Sequence, residues 1–473
     1  MTDHFPTPGS RAACAFPHGH ETHMQTALSG TRFVTTPALV LLRACLVLLG
    51  LVALFDRCAI AQTRPEDLPP PPGALERELA TGVQVPADGP GNSSTGTASV
   101  LSGPIEIPFI LEAGHIIIEA SIGGGPPRPF VFDTGARHTI SPDVAQTLKA
   151  RAVVRTSRVG GIGSKVSQVE WINAGPIALG GATLEQQTMG VLDMPNAMLD
   201  RGSRPRLAGL IGSELLAHYV VTIDYARRTL TLNSHGFRPR SAAFSLPLGL
   251  AISLDGLSHP SISAELDGIT GEFILDTGAN AQVVLSERFQ QDHPPLNGSG
   301  ATLHFLSAGG LGGHANLRLG FGRQFRIGPF TLSSPLVAAI DRGNSAMGSL
   351  SRAAGLIGSG VLANFIITID LAAARAYFEP VPDRVHATTL FGTGMILDKP
   401  DHDGFEVLDV LQNSAADRAG LRRGDRVVAI GGRAARDLGL SDVHVFAAKS
   451  VPALTVLTAD HRRLDLGYSH LLP

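Results

Sequence analysis

An internal repeat constrains the fold of this chain more than any other feature of its sequence. Residues 129–136 read PFVFDTGA and residues 272–279 read EFILDTGA, so the two aspartates lie 143 residues apart. Residues 208–213 and 354–359 both read AGLIGS, at an offset of 146 residues. Because the repeated segments occur in the same order at nearly the same offset, the sequence predicts two lobes built on one plan.

Short runs of β-branched residues, punctuated by glycine, predict strands. The runs IIIEA at residues 116–120 and VVTID at residues 220–224 are typical of them. The 54 glycines and 32 prolines among 473 residues favour many turns over long helices. We therefore expect a mainly β fold, in a chain long enough for three domains of about 150 residues.

Charge and cysteine content exclude several classes of function. With 38 basic and 41 acidic residues, a net charge of −3, the chain has no basic excess with which to bind nucleic acid. Its three cysteines, Cys14, Cys45 and Cys58, all lie near the N-terminus. The remainder can therefore form no disulfide, thiolate metal site or thiol nucleophile, and we expect no metal or cofactor.

The N-terminal residues 1–61 are typical of an export signal. Residues 44–55 are uncharged and mostly apolar, and Ala-Ile-Ala at 59–61 has the spacing of a cleavage site before Gln62. The sequence therefore predicts an exported protein of the periplasm or cell envelope. As an alternative, residues 38–55 remain uncleaved as an inner-membrane anchor, which would be the only link to a membrane. A start at Met24 would leave a shorter leader.

Composition divides the rest of the chain into four parts. Residues 62–103 are rich in proline, glycine and serine and predict a linker. The two repeats predict lobes at residues 104–238 and 239–383. The pattern changes after them, and residues 384–473 are enough for one further small domain.

Each repeat supplies one carboxylate with the surroundings of an acid–base catalyst. An apolar strand running into Asp-Thr-Gly places the aspartate on a tight loop, where glycine permits close backbone approach and threonine can fasten the loop. Two lobes related by an approximate two-fold axis would bring Asp133 and Asp276 face to face, where they would share one proton. Such a pair can polarise a carbonyl and activate a water molecule without a covalent intermediate.

These segments resemble the retropepsin-like aspartic peptidases, in which an Asp-Thr-Gly-Ala loop is backed by a later apolar-apolar-Gly segment. Here those segments are Leu210-Ile211-Gly212 and Leu356-Ile357-Gly358, and the resemblance covers residues 104–383. It implies two β-barrel lobes that form a pseudo-dimer and cleave polypeptides. It also implies site residues: the catalytic carboxylates Asp133 and Asp276, and the loop-bracing Thr134, Gly135, Thr277 and Gly278.

The same resemblance implies glycine-tipped hairpins that close over an extended substrate. The matching segments are VGGIGS at residues 159–164 and SAGGLGG at residues 307–313. Their glycine backbone could hydrogen-bond a strand-like peptide, and an ordinary mobile loop is the alternative for each segment. Neither segment carries the tyrosine of pepsin flaps. The candidate flap residues are Gly160, Gly161, Gly163, Gly309, Gly310 and Gly312.

The C-terminal part resembles a PDZ domain of the kind found in bacterial envelope proteases. Ser414-Ala415-Ala416, Ala419-Gly420-Leu421 and Gly424-Asp425 carry this resemblance. It implies that residues 391–396 form the carboxylate loop and strand edge of a peptide site, and that residues 441–448 form the facing helix. The implied peptide-binding residues are Gly392, Thr393, Gly394 and Met395. The alternative that this domain only packs against the lobes and binds no peptide stays open.

Two alternatives to a single-chain peptidase stay open. The same fold could serve as a non-catalytic envelope scaffold that binds peptides through its PDZ domain, although both aspartates are intact. Each lobe could also pair with its own copy in another chain. The covalent tandem favours pairing within one chain, because it raises the effective concentration of the partner lobe.

Other polar and aromatic residues lie beside or outside these motifs. Arg137 and His138 follow the first catalytic loop and have no counterparts in the second, so they either tune the aspartates or face solvent. Asp401, His402 and Asp403 read as solvated side chains, because they lack the spacing of a zinc site. We expect Trp171 to lie in a core.

Overall fold

A computed structural model describes residues 97–148, 152–160, 165–239, 244–252, 258–293, 303–307, 310–340, 353–382, 391–443 and 453–471. They belong to one compact unit, Val85–Pro473. The other unit, Met1–Gln84, lies outside the described residues, as do the predicted signal and most of the linker.

The first lobe is a closed sheet, and three further strands extend from it to the second lobe. The sheet order is β2-β3-β4-β10-β5-β8-β7-β6, and β3 also pairs with β7 to close it. The strands are β1 (Ile105–Pro108), β2 (Ile110–Glu112), β3 (His115–Ile122), β4 (Arg128–Phe132), β5 (Thr139–Ile140), β6 (Val153–Gly160), β7 (Val166–Leu179), β8 (Ala182–Val191), β9 (Arg201–Gly202), β10 (Gly209–Ile211), β11 (Val220–Asp224) and β12 (Thr229–Asn233).

The second lobe repeats this arrangement. Its sheet order is β18-β19-β22-β17-β23-β16-β15-β20-β21, and β14 pairs with β15. The strands are β13 (Phe244–Pro247), β14 (Gly249–Ile252), β15 (Ser258–Leu266), β16 (Ile269–Leu275), β17 (Val283–Leu285), β18 (Leu303–Ser307), β19 (Ala315–Phe321), β20 (Gln324–Ile327), β21 (Phe330–Ser333), β22 (Leu336–Ile340), β23 (Gly355–Ile357), β24 (Phe365–Asp370) and β25 (Arg375–Pro380).

Helices in both lobes are short and connect strands. Serine precedes the longest of them: Ser286 caps α4 by accepting a hydrogen bond from the Phe289 N–H at 3.2 Å. The helices are α1 (Pro142–Thr147), α2 (Asn196–Leu199), α3 (Leu215–His218), α4 (Glu287–Asp292) and α5 (Ser359–Leu362). None of the described helices has the length and apolar composition needed to cross a membrane.

A six-stranded sheet joins the lobes, each of which contributes three strands. Its order is β1-β12-β11-β24-β25-β13, so β11 of the first lobe meets β24 of the second. Their register pairs Thr222 with Thr368, which are repeat equivalents 146 residues apart. A strand pair that matches a residue to its own equivalent lies on a two-fold axis. The two lobes therefore pair within one chain.

The C-terminal domain has its own sheet and its own core. The sheet order is β27-β28-β29-β32-β33, and β30 pairs with β29. Its core contains Phe405, Val407, Val427 and Val456, all fully buried. The elements are β26 (Phe391–Gly392), β27 (Met395–Asp398), β28 (Phe405–Val410), α6 (Ala415–Arg418), β29 (Arg426–Ile430), β30 (Arg433–Ala434), a 3-10 turn (Ala435–Asp437), β31 (Leu438–Gly439), β32 (Ala453–Thr458), β33 (Arg463–Gly467) and β34 (Ser469–His470).

The predicted mainly β class, with two related lobes and a C-terminal domain, is confirmed. The first lobe begins earlier than expected, because the end of the predicted linker pairs with it. Ala98 forms an isolated bridge with Leu184, and the Ser99 N–H donates to the Thr183 carbonyl at 2.8 Å. These backbone hydrogen bonds order residues whose composition is typical of a linker.

Candidate active site

Each aspartate predicted to be catalytic lies on a loop, called the catalytic loop below, that leaves the end of a strand and is held by the neighbouring parallel strand. β4 runs parallel to β10, and the Asp133 N–H donates to the Ile211 carbonyl at 2.9 Å. In the second lobe β16 runs parallel to β23, and the Asp276 N–H donates to the Ile357 carbonyl at 3.0 Å. The two AGLIGS segments of the sequence therefore support the two aspartate loops directly.

Two threonines fasten the loops to each other across the two-fold axis. The Thr134 N–H donates to Thr277 Oγ1 at 3.0 Å, and the Thr277 N–H donates to Thr134 Oγ1 at 3.1 Å. Each hydroxyl then donates to a carbonyl of the opposite lobe, Thr134 to Leu275 at 2.6 Å and Thr277 to Phe132 at 2.8 Å. Both threonines are buried, so these four hydrogen bonds fix the separation of the loops.

Two glycines let the opposing carboxyl groups approach. A Cβ placed on Gly135 would lie 2.5 Å from Cγ of Asp276, and a Cβ on Gly278 would overlap the carboxyl group of Asp133. Each glycine N–H donates to the aspartate of its own loop, at 2.8 Å for Gly135 and 2.9 Å for Gly278. Glycine is needed here for close approach and not for an unusual backbone angle.

The two carboxyl groups are hydrogen-bonded to each other and titrate as a pair. Burial, and then the negative charge of Asp276, raises the pKa of Asp133 well above its ordinary value. Burial also raises the pKa of Asp276, against hydrogen bonds from Asp133 and the Gly278 N–H. Because ionising both carboxyl groups is unfavourable, the pair retains one proton. One member can then donate a proton while the other accepts one.

Two histidines near the aspartates were not anticipated from the sequence. The ring of His115 bonds the Gly278 carbonyl, and burial lowers its pKa. The charge of His259 acts to lower the pKa of Asp276. Ile116, next to His115, pairs with Phe132, the residue before Asp133. Ser261, two residues after His259, pairs with Ile274, two residues before Asp276. Each histidine therefore lies on the strand beside its aspartate strand, near the end that carries the aspartate. The sequence signal that could have identified them is their similar spacing, because His115 and His259 lie 18 and 17 residues before Asp133 and Asp276.

Arg137 and His138 anchor the first catalytic loop to a neighbouring turn. The His138 N–H donates to Glu214 Oε2 at 3.0 Å, and Arg137 Nε lies 4.0 Å from Glu214 Oε1. His138 Nδ1 accepts the Gly212 N–H at 2.8 Å, and burial lowers the pKa of this ring. The alternative in which both face solvent is wrong, because His138 is fully buried.

Hairpins from the two lobes meet each other. Gly160 ends β6 and pairs with Val166, whereas Gly310 and Gly312 lie in the turn between β18 and β19. The Lys165 N–H of the first hairpin donates to the Gly312 carbonyl of the second at 3.1 Å. Three candidate flap residues, Gly161, Gly163 and Gly309, lie outside the described residues.

An apolar cluster lies between the first hairpin and the first catalytic loop, and we call it the first-lobe wall. Trp171 belongs to it, as predicted for a core residue. Partly buried residues pack against the wall from the catalytic loop (Ala136), from the first hairpin (Val159) and from the tip of the second hairpin (Leu311). The buried members are Ile117, Val131, Val169, Trp171, Leu192, Met194, Leu199, Leu207 and Leu210.

The predicted peptide-binding residues of the C-terminal domain occupy a connection and the start of a strand. Gly392 pairs with Ser469, and Met395 begins β27. The Thr393 carbonyl accepts the Ala416 N–H at 3.0 Å, and the Gly394 carbonyl accepts the Leu411 N–H at 2.8 Å, so both carbonyls are already used. Residues 440–443 are helical, and the rest of the predicted facing helix lies outside the described residues.

Family models match segments of both lobes and of the C-terminal domain. Residues 118–215 and 262–360 match the family model described as aspartyl protease, and residues 406–451 match the model of the PDZ domain. The crystal structure of aspartic proteinase from Irpex lacteus is similar to 59% of this chain, over 98% of its own length, at 13% identity and a TM-score of 0.36. No curated protein matches the sequence.

Proposed function

Because this chain carries two aspartyl protease segments followed by a PDZ domain, we propose that it is an aspartic endopeptidase in which one chain supplies both catalytic carboxylates. The observation that carries the proposal is the hydrogen-bonded pair of Asp133 and Asp276, whose pKa values are both raised. A scaffold protein would have no need of two buried carboxyl groups in contact, because holding them together costs folding free energy.

The reaction follows from one proton shared between two carboxyl groups. The ionised member takes a proton from a water molecule as that water attacks the carbonyl carbon of the peptide bond. The protonated member gives its proton to the carbonyl oxygen, and a tetrahedral diol forms. Transfer of a proton to the nitrogen then breaks the carbon–nitrogen bond and releases an amine and a carboxylic acid.

An extended polypeptide is the substrate that the surroundings of the pair favour. The hairpins of the two lobes meet through a backbone hydrogen bond, and Val159 and Leu311 from them pack on the same apolar cluster as Ala136 of the first catalytic loop. Backbone hydrogen bonds from such hairpins would select a strand-like chain without regard to its side chains. Ala136, Val159 and Leu311, the partly buried side chains that pack on the first-lobe wall, are apolar, which favours an apolar substrate side chain beside them. Activity should decline on the alkaline side, where the shared proton is lost.

The PDZ domain would recruit a peptide by adding it to the edge of its sheet. Among the described residues β27 has one strand partner, β28, so its second edge has backbone groups for another strand. Isothermal titration of the full chain with extended peptides tests this, against a variant in which Ile396→Pro removes one N–H from β27.

The protein would act outside the cytoplasm after export. The apolar residues 44–55, followed by Ala-Ile-Ala at 59–61, support this, as does the restriction of cysteine to the first 58 residues. N-terminal sequencing of the protein from an expressing cell tests it, since cleavage predicts Gln62 as the first residue.

The activity is tested with a mixed peptide library between pH 3 and pH 8. We expect the wild-type chain to cleave peptides and to bind a statine-type inhibitor, which mimics the tetrahedral diol. The double variant Asp133→Asn/Asp276→Asn should do neither while unfolding cooperatively. If the wild-type chain neither cleaves nor binds the inhibitor, the protein is a non-catalytic scaffold.

A further inference from the structure

One segment of the first lobe has two faces, and one of them belongs to the first-lobe wall. This segment, residues 192–207, connects β8 to β10 and is called the wall segment below. Leu192, Met194, Leu199 and Leu207 from it are all buried in the cluster that also contains Trp171. The wall segment therefore supplies four of the nine buried members of the cluster on which Ala136 of the first catalytic loop packs.

The other face of the wall segment contacts the PDZ domain through its backbone. β9 lies within the wall segment and pairs with β31 of the PDZ domain, matching Gly202 to Leu438. A side chain on Gly202 would overlap the backbone of Asp437, so the two chains approach as closely as glycine allows. The Asn196 amide also donates to the Lys399 carbonyl at 3.1 Å.

Buried charges lie at the centre of this contact. Asp200 of the wall segment accepts the Gly202 N–H at 2.7 Å and has Lys399 Nζ at 3.5 Å and His402 Nδ1 at 3.0 Å. Lys399 is fully buried, and its Nζ also donates to the carbonyls of Ala435 and Leu438. The sequence predicted that His402 is a solvated side chain. It is exposed, but it also bonds Asp200.

A second ion-pair network strengthens the same contact. Arg201 bonds Glu112 at 2.5 Å and 3.0 Å, and Arg204 lies 2.7 Å from both Glu112 and Asp442. Arg204 therefore joins the first lobe to the PDZ domain. Removing one partner from a buried charge pair leaves an uncompensated charge. Separating the two domains would therefore leave Lys399 without the carboxylate of Asp200.

We propose that the PDZ domain is a structural part of the substrate cleft, with Asp200 and Lys399 as positioning residues through which it holds the first-lobe wall. The inference rests on the proposed peptidase function, to which it adds a role for the PDZ domain in selecting an apolar substrate side chain. A tethered module that only recruits peptide would not require a buried lysine at its contact with the catalytic lobe.

The second lobe shows that this wall is particular to the side that the PDZ domain contacts. Ala353 occupies the repeat position of Leu207, and the corresponding cluster of the second lobe contains Ala251, Ala315 and Ala338. The apolar clusters of the two lobes therefore differ in side-chain volume. The bulkier apolar side is the one that depends on the PDZ domain.

The PDZ domain also contacts the hairpin of the second lobe. His314, next to the hairpin tip, has its Nε2 2.9 Å from Asp398 Oδ2 at the end of β27. β18 of that hairpin lies close to β27 and β28. The domain thus contacts both the wall and a hairpin that packs on it through Leu311.

The only tryptophan in the chain reports on the wall without any need for activity. We would compare the full chain with Lys399→Met and Asp200→Asn, using Arg463→Met as a control that removes an exposed cation of the same domain. We expect a red-shifted Trp171 emission and stronger acrylamide quenching in the first two variants only. Asp442→Ala, at the rim of the contact, gives the same test if the buried variants fail to fold.

Peptide kinetics supply the second measurement. Peptides would carry leucine or serine at each position flanking the cleaved bond, and the leucine preference is the ratio of their kcat/KM values. We expect this ratio to fall about tenfold at one position in both positioning variants. The loss should fall mainly in KM, because the aspartate pair is unchanged.

Variants that fold, keep wild-type Trp171 quenching and keep the leucine preference would overturn the inference. If the wild-type chain cleaves no peptide, the proposed function fails, and Trp171 quenching alone decides whether the PDZ domain holds the wall.

Discussion

Thr222 and Thr368 face each other across the boundary between the lobes, with their hydroxyl oxygens 2.8 Å apart. They are repeat equivalents, as are Thr134 and Thr277, which face each other beneath the aspartates. Two such pairs define a two-fold axis that passes through the joining sheet and the catalytic loops. The duplicated sequence therefore brings the two aspartate loops together, and both loops come from the same chain.

The first prediction concerns the hydroxyl pair in the joining sheet. Thr368→Val should lower the free energy of unfolding by about 1 kcal/mol, because it removes the partner of the Thr222 hydroxyl. The double variant with Thr222→Val should cost less than the sum of the single variants. Urea denaturation measures both quantities, and strictly additive costs would show that the two hydroxyls do not interact.

The second prediction concerns the threonines that brace the catalytic loops. Thr134→Val or Thr277→Val should each lower the free energy of unfolding by about 1–3 kcal/mol, because a buried N–H and a carbonyl lose their partner. Thr134→Ser is the matched control, since it keeps the hydroxyl. Equal stability of the valine and serine variants would contradict the geometry of the brace.

The third prediction concerns the glycines beside the aspartates. Gly135→Ala and Gly278→Ala should lower kcat/KM on the order of 10²-fold, because the added methyl group displaces the opposing carboxyl group. Gly467→Ala, where the added carbon meets no atom within 4 Å, is the control. Wild-type kinetics in Gly135→Ala would mean that the carboxyl groups are not in contact through this space.

The fourth prediction follows from the raised pKa of Asp133. A carboxyl group whose pKa is raised by folding contributes stability at low pH and loses that contribution as pH rises from its ordinary pKa of 3.8. Asp133→Asn cannot ionise, so at pH 7 it should unfold at higher urea concentration than the wild type. The difference should shrink as pH falls toward 4. A wild-type chain that is the more stable at pH 7 would contradict the raised pKa.

The class of fold and the aspartate pair could be predicted because both depend on local patterns that occur twice. An apolar strand followed by Asp-Thr-Gly-Ala fixes the loop around Asp133, and repetition fixes the loop around Asp276. Their contact then follows from symmetry alone. The brace between Thr134 and Thr277 follows for the same reason.

Contacts that depend on strand register or on domain docking could not be predicted in this way. His115 reaches the Gly278 carbonyl only because β3 pairs with β4 in one register. Asp200 and Lys399 are almost two hundred residues apart, and neither lies in a motif. His402 read as a solvated side chain because its acceptor, Asp200, belongs to another domain.

The most direct test of one dyad in one chain compares peptide cleavage by Asp133→Asn and by Asp276→Asn. Each single substitution removes half of the only pair, so each should lower kcat by about 10²–10⁴-fold or more while the chain stays folded. If either variant kept a substantial fraction of wild-type activity, its unaltered lobe would be pairing with a copy from another chain, and the single-chain account would be wrong.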